Sequence, residues 1–175
     1  MPALDARKIT ASAVLTALAL ALSYIERFIP LNLAVPLPGV RLGLANVVTL
    51  AALYLLGSGY AAVILLLRCL LAALFGGGAA GLLFSLCGGF LALLVMAAVK
   101  RTAFFSVFGV SVLGAAAHQA GQILAGILLM RSGYLVGYLP FLLLVSAVTG
   151  LLTGLMAAGV LRAVPAILKR EVEQS

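Results

Sequence analysis

Acidic side chains are almost missing from this sequence. Its 175 residues hold four, Asp5, Glu26, Glu171 and Glu173, against 11 lysines and arginines. Only Glu26 lies away from the two ends of the chain. That scarcity excludes several chemistries. No pair of carboxylates is available for Mg²⁺-diphosphate chemistry. A Ser-His-Asp set cannot be assembled when the one aspartate is Asp5. No GxxxxGK[ST] loop is present, so the chain cannot hydrolyse ATP by itself. Cysteine is equally sparse. Cys69 and Cys87 both fall in apolar stretches, without metal-ligand, haem or iron–sulfur spacing, and read as small apolar residues. The single histidine, His118, lacks the companions a zinc site needs. These absences predict no catalytic residue, no metal and no cofactor, and a chain that binds rather than catalyses.

Charge of either sign is scarce too. Charged residues make up 9% and hydrophobic ones 65%, whereas a soluble domain carries about 25% charged residues. The composition predicts an all-α integral membrane protein, a single membrane domain over residues 1–175. Apolar runs of roughly 20 residues fit helices, because barrel strands alternate and are about half that length. The net charge of +7 does not signal nucleic acid, since the basic residues sit mostly at the ends of apolar runs.

Glycine runs and paired charges divide the chain into six spans, about 9–25, 42–56, 60–75, 79–99, 104–130 and 139–161. Arg7 and Lys8 before the first run, with Ala19-Leu20-Ala21 inside it, also fit a signal peptide. Because the run continues through Tyr24 and Ile25 into a membranous remainder, a retained first span is expected. With a cytoplasmic N-terminus, the inner side carries the seven basic residues Arg7, Lys8, Lys100, Arg101, Arg162, Lys169 and Arg170, and the outer side the three, Arg27, Arg41 and Arg131. The bias predicts both termini in the cytoplasm of a plasma-membrane protein. The stretch 24–46, with Pro30, Pro36 and Pro38, then forms a rigid polar lid at the outer face.

Small residues recur at four-residue spacing: Ala13, Ala17 and Ala21; Gly81, Ser85 and Gly89; Ser146, Gly150, Gly154 and Ala158. Such stripes let helices approach closely. Those of spans four and six are expected inside the bundle, whereas the alanine stripe fits internal packing or a partner protein equally. The polar residues at membrane depth are more telling. Arg68 sits within span three, where a central charge costs about 2.5 kcal/mol or more, so it is expected to face a cavity or a partner. Glu26 is its one plausible acidic partner. On span five, His118 and Gln122 share a face with Ser111, Ala115 and Ala125, beside Gln119. That stripe suits interhelical hydrogen bonds or ligand contact. Asn46 and Thr49, and Thr149 and Thr153, are weaker members of the set.

The run from Pro38 to Leu50, PGVRLGLANVVTL, preceded by Ser23-Tyr24-Ile25-Glu26, resembles the Gx transporter family, often labelled heptaprenyl diphosphate synthase component I. That family is related to the substrate-binding S components of energy-coupling-factor (ECF) transporters. The resemblance implies a six-helix membrane bundle that binds a small ligand near the outer face. It also implies partners: a transmembrane T component and two ATPase subunits, docked through an alanine-x-x-x-alanine pattern that Ala13, Ala17 and Ala21 match. Related genes beside flavin-based electron-transfer and quinone-biosynthesis genes imply a vitamin-, flavin-, quinone- or isoprenoid-related ligand. The enzyme label finds no aspartate-rich motif here. The other reading is a noncatalytic membrane subunit of an electron-transfer complex or of a prenyl diphosphate synthase. The expected ligand-binding set is Glu26, Arg41, Asn46, Arg68, His118 and Gln122. Two arginines without adequate acidic complement predict an anionic ligand.

Overall fold

The computed structural model describes residues 6–29, 41–102 and 104–173, the last ten as backbone only. Pro30, Pro36 and Pro38, and with them much of the expected lid, lie outside the described residues, as does Asp5. All regular structure among the described residues is helical.

Helix α1 spans Ala6–Ile25 and closes in a 3-10 turn, Glu26–Phe28. Its hydroxyls bond back along the helix: Ser12 Oγ donates to the Lys8 carbonyl (2.8 Å) and Thr16 Oγ1 to the Ser12 carbonyl (2.7 Å). An apolar helix thereby carries hydroxyls without leaving them unsatisfied. Its buried face is Thr16, Ala19 and Ser23.

Helix α2 spans Asn46–Leu55. It begins later than the apolar run because Gly43, at φ +85°, holds a left-handed backbone that no helix continues. At its far end Lys100 Nζ donates to the Leu53 carbonyl (2.9 Å) and sits 4.5 Å from the Tyr54 ring centroid. A lysine thus satisfies an orphan carbonyl at a helix C-terminus.

Helices α3 (Ser58–Ala72) and α4 (Gly78–Arg101) are the arms of one helical run broken at Phe75 and Gly76. The chain doubles back there, since a Cβ on Gly89 would come within 2.6 Å of Leu65 Cδ1. Arg27 clasps the break: Nη2 donates to the Ala72 carbonyl (2.6 Å) and Nη1 to the Phe75 carbonyl (2.8 Å). Helix α5 spans Val107–Met130, and after the 3-10 segment Gly133–Tyr138 the chain ends in α6, Leu139–Glu173.

Residues 46–53 of α2 are all buried. Val47, Val48, Leu50 and Leu53 pack with Ile64, Leu65, Ala92, Met96 and Val110 in the main core. Helix α5 lies between α4 and α6. A Cβ on Gly121 would fall 2.5 Å from the Cys87 carbonyl oxygen, and one on Gly150 2.6 Å from Val112 Cα. Close approach through small residues, as expected for spans four and six, joins these helices. Along the outside of α6, Leu144, Val148, Leu151, Leu152 and Leu155 are exposed, a surface suited to lipid.

Among the described residues, four segments are long and apolar enough to cross a membrane: Ala6–Phe28, Ser58–Arg101, Val107–Met130 and Gly133–Ala163. The six separate spans read from the sequence are not reproduced as such. At 1.5 Å per residue α2 is about 15 Å long, half of a bilayer's hydrocarbon core of about 30 Å. The expected spans three and four are joined without a separating loop, in one helical run that doubles back at the break before the glycines at 76–78 end.

Candidate functional site

Where α1 ends and α2 begins, four helices bring polar side chains together inside the bundle. The 3-10 turn at the end of α1 turns Glu26 inward, leaving it 3% exposed. Its Oε1 accepts the backbone N–H groups of Gly43 and Leu44, the latter at 3.2 Å. Sequence reasoning offered Glu26 as the partner of an arginine. Instead its carboxylate satisfies the backbone leading into α2, and no hydrogen bond among the described residues joins it to Arg41 or Arg68. The charges of both arginines still act on it.

The backbone of Arg41 docks on α5. Its N–H donates to Gln122 Oε1 (3.1 Å), and its carbonyl accepts from Gln119 Nε2 (3.3 Å). With Gln122 Oε1 so engaged, the amide Nε2 donates to His118 Nε2 (2.8 Å). That bond requires an unprotonated Nε2, so the neutral ring carries its proton on Nδ1. The ring is held between two glycines: a Cβ on Gly88 would lie 2.9 Å from Nδ1, and one on Gly43 3.0 Å from Cδ2. The guanidinium of Arg41 reaches the start of α4, where Nη2 is 3.5 Å from the Cβ position of Gly81. Burial lowers its pKa from the ordinary value and Glu26 opposes that shift. The group remains charged regardless.

Arg68 is 3% exposed. It stands four residues before the end of α3, nearer the Glu26 end of the bundle than the mid-span position read from the sequence. Nη1 donates to Ser23 Oγ of α1 (3.3 Å), and Nη2 is 3.3 Å from the Cβ position of Gly89. The glycine stripe of α4 is therefore internal as expected, but both of these glycines accommodate arginine heads. Asn46, on the first turn of α2, adjoins Gly43.

All six expected ligand-binding residues thus meet in one network. Two further members complete it. Gln119, fully buried, is the neighbour of His118 on α5, and its amide was legible as one more polar group in an apolar run. Ser23 lies three residues before Glu26 on the same face of α1, a spacing that signals shared direction. Thr149 and Thr153 lie elsewhere: Ser111 and Thr153 share a 2.7 Å hydrogen bond between α5 and α6.

The network is rich in polar atoms without a hydrogen-bond partner: Arg41 Nη1, both side-chain ends of Asn46, Arg68 Nε and Nη2, His118 Nδ1 and Gln119 Oε1; Thr49 Oγ1, one turn further along α2, and Arg27 Nε are the others among the described residues. Buried polar groups are normally paired, and this concentration of unpartnered atoms makes the network the candidate site. No group of three or more His, Cys, Asp or Glu side chains among the described residues is arranged to hold a metal ion.

The alanines of α1 lie on its other side. Ala13, Ala17 and Ala21 are all exposed, which removes packing within this chain as their role. Ala17 and Ala21 line a groove of about 390 Å³ with Leu20, Tyr24, Arg27, Ala72 and Phe75.

No curated protein and no solved structure matches this chain. One family pattern does, over residues 15–160, a stretch that takes in every residue of the polar network. By that match, and by the apolar helices and buried network just described, the chain belongs to the family described as heptaprenyl diphosphate synthase component I.

Proposed function

We propose that this chain is the substrate-binding S subunit of an ECF-type transporter in the plasma membrane. It takes up a small anionic ligand related to a vitamin, flavin, quinone or isoprenoid. The carrying observation is the set of buried, unpartnered polar atoms around Arg41, Asn46, Arg68, His118 and Gln119 in an otherwise apolar helical bundle. In this reading α3 and α4 count as separate spans and α2 as a short buried one, giving six. Both termini are cytoplasmic, and the network opens toward the outer face. The basic residues support this orientation.

Exposed Ala13, Ala17 and Ala21 supply the docking face for a T component carrying two ATPase subunits. A smooth face of small residues is what a close helix–helix contact in lipid requires. The family description favours a second reading, a noncatalytic membrane subunit of a prenyl diphosphate synthase; an electron-transfer complex is the related case. Affinity purification from native membranes separates them. Capture of ATPases and a second membrane protein is the expected outcome. Capture of a prenyl synthase or redox proteins, with no ATPase, would replace the transport reading.

A further inference from the structure

Arg68 uses its guanidinium unevenly. The Nη1 corner is bound to Ser23, while Nε and Nη2 have no partner. Those two nitrogens are adjacent donors on one edge of the planar group. Together they form the two-pronged fork that matches the two oxygens of a carboxylate. The residue is 3% exposed, so the fork is enclosed rather than offered to water. An enclosed cation left without a partner is costly.

The surroundings narrow what fills the fork. The charges of Arg41 and Arg68 act on Glu26, and that of Arg27 acts on Arg41; with a single carboxylate among three guanidiniums the surroundings are cationic and favour an anion. His118 accepts a hydrogen bond at Nε2 and adds no charge in its neutral form. Gly89 stands beside Nη2 at 3.3 Å from its Cβ position, so the space at that end is narrow. A flat terminal carboxylate fits there better than the tetrahedral phosphorus of a phosphate. Asn46, with donor and acceptor both unpartnered, and Gln119 Oε1 are left for neutral polar groups on the same molecule.

We infer that the ligand of this site is a monocarboxylate, its carboxylate held two-pronged by Arg68 Nε and Nη2, and not a diphosphate. The inference rests on the binding-subunit reading but is tested apart from it. The full chain is reconstituted in lipid nanodiscs, and its thermal unfolding is followed with a thiol-reactive dye as buried Cys69 becomes accessible. Sodium acetate and inorganic diphosphate are compared with chloride at equal ionic strength. Acetate is expected to raise the melting temperature of the wild type, and diphosphate to raise it less. Arg68→Gln should lose the acetate shift. Arg68→Lys keeps the charge without the fork, and serves if the first variant does not fold; it should lose most of the shift.

Three results overturn the inference: no acetate shift in the wild type, an acetate shift that survives both substitutions, or a larger shift with diphosphate. An Arg68-dependent acetate shift in a protein that captures no ATPases would keep this inference and remove transport. Captured ATPases without the shift would do the reverse.

Discussion

Arg27 and Arg68 lie at the same end of the bundle and are used differently. Arg27 spends both terminal nitrogens on carbonyls freed where α3 breaks and leaves only Nε without a partner. Arg68 gives one nitrogen to Ser23 and leaves the other two unbonded. The same contrast runs along α5. Ser111 and Thr153 satisfy one another across the α5–α6 contact, whereas two turns further on His118 and Gln119 keep atoms without partners. Polar residues in apolar helices are therefore of two kinds here. One kind closes a local shortage of hydrogen bonds. The other is gathered in one place with the shortage left open, and that place is the candidate site.

The largest effect is expected where the two kinds meet, at Glu26. Replacing it by alanine orphans the N–H groups of Gly43 and Leu44, at about 1–3 kcal/mol for each buried group, and removes the negative charge beside two guanidiniums. Thermal unfolding in nanodiscs should show a deep loss of stability. Glu26→Gln keeps a carbonyl oxygen for the N–H groups and should lose less. Equal losses in the two variants would assign the effect to charge and not to hydrogen-bond acceptance.

Next comes Arg27. Arg27→Gln frees the Ala72 and Phe75 carbonyls and should cost about 1–3 kcal/mol. It should leave the acetate shift of the wild type in place, because Arg27 belongs to the first kind. Should that shift disappear along with the stability, the division between the two arginines fails.

A smaller effect is expected at the α5–α6 pair. Thr153→Val strands the Ser111 hydroxyl and should cost about 0.6 kcal/mol, at most about 1.7; Ser111→Ala should cost less, because Thr153 Oγ1 still donates to the Gly150 carbonyl (3.1 Å). The double variant should fall less than the sum of the singles, because no unpaired group remains. A double-mutant cycle that comes out additive would mean that the pair is not coupled.

The smallest effect on the chain itself should follow Ala17→Leu. Its site is exposed, so stability should change by no more than about 0.5 kcal/mol. Capture of the membrane partner and ATPases should nevertheless drop. An undiminished complex would take the α1 face out of docking.

Much of this was legible in the sequence for one reason: a charge or amide in an apolar run is costly, so its presence demands a purpose. That argument found Glu26, Arg41, Asn46, Arg68, His118 and Gln122 and read the chain as helical and membranous. It could not say how they are bonded. Glu26 turned out to hold backbone N–H groups, which every residue carries and no sequence distinguishes. The glycines at 81 and 89 could be read as small, but not as seats for arginine heads, because that depends on where Arg41 and Arg68 reach across from other elements. The count of spans was not reproduced where hydropathy is blind to backbone angle. Gly43 delays α2, and the glycines at 76–78 turn α3 into α4 with no polar loop between them.

Glu26 and Arg27 are neighbours, and each is tied to a different part of the bundle. One fastens the last turn of α1 to the residues that launch α2, the other to the bend that joins α3 and α4. The end of α1 is thus riveted at two points while its alanine face stays clear. Mechanically it is a lever with a fixed head: a force applied along the alanines cannot tilt α1 without straining four hydrogen bonds at once, on both sides of the polar network.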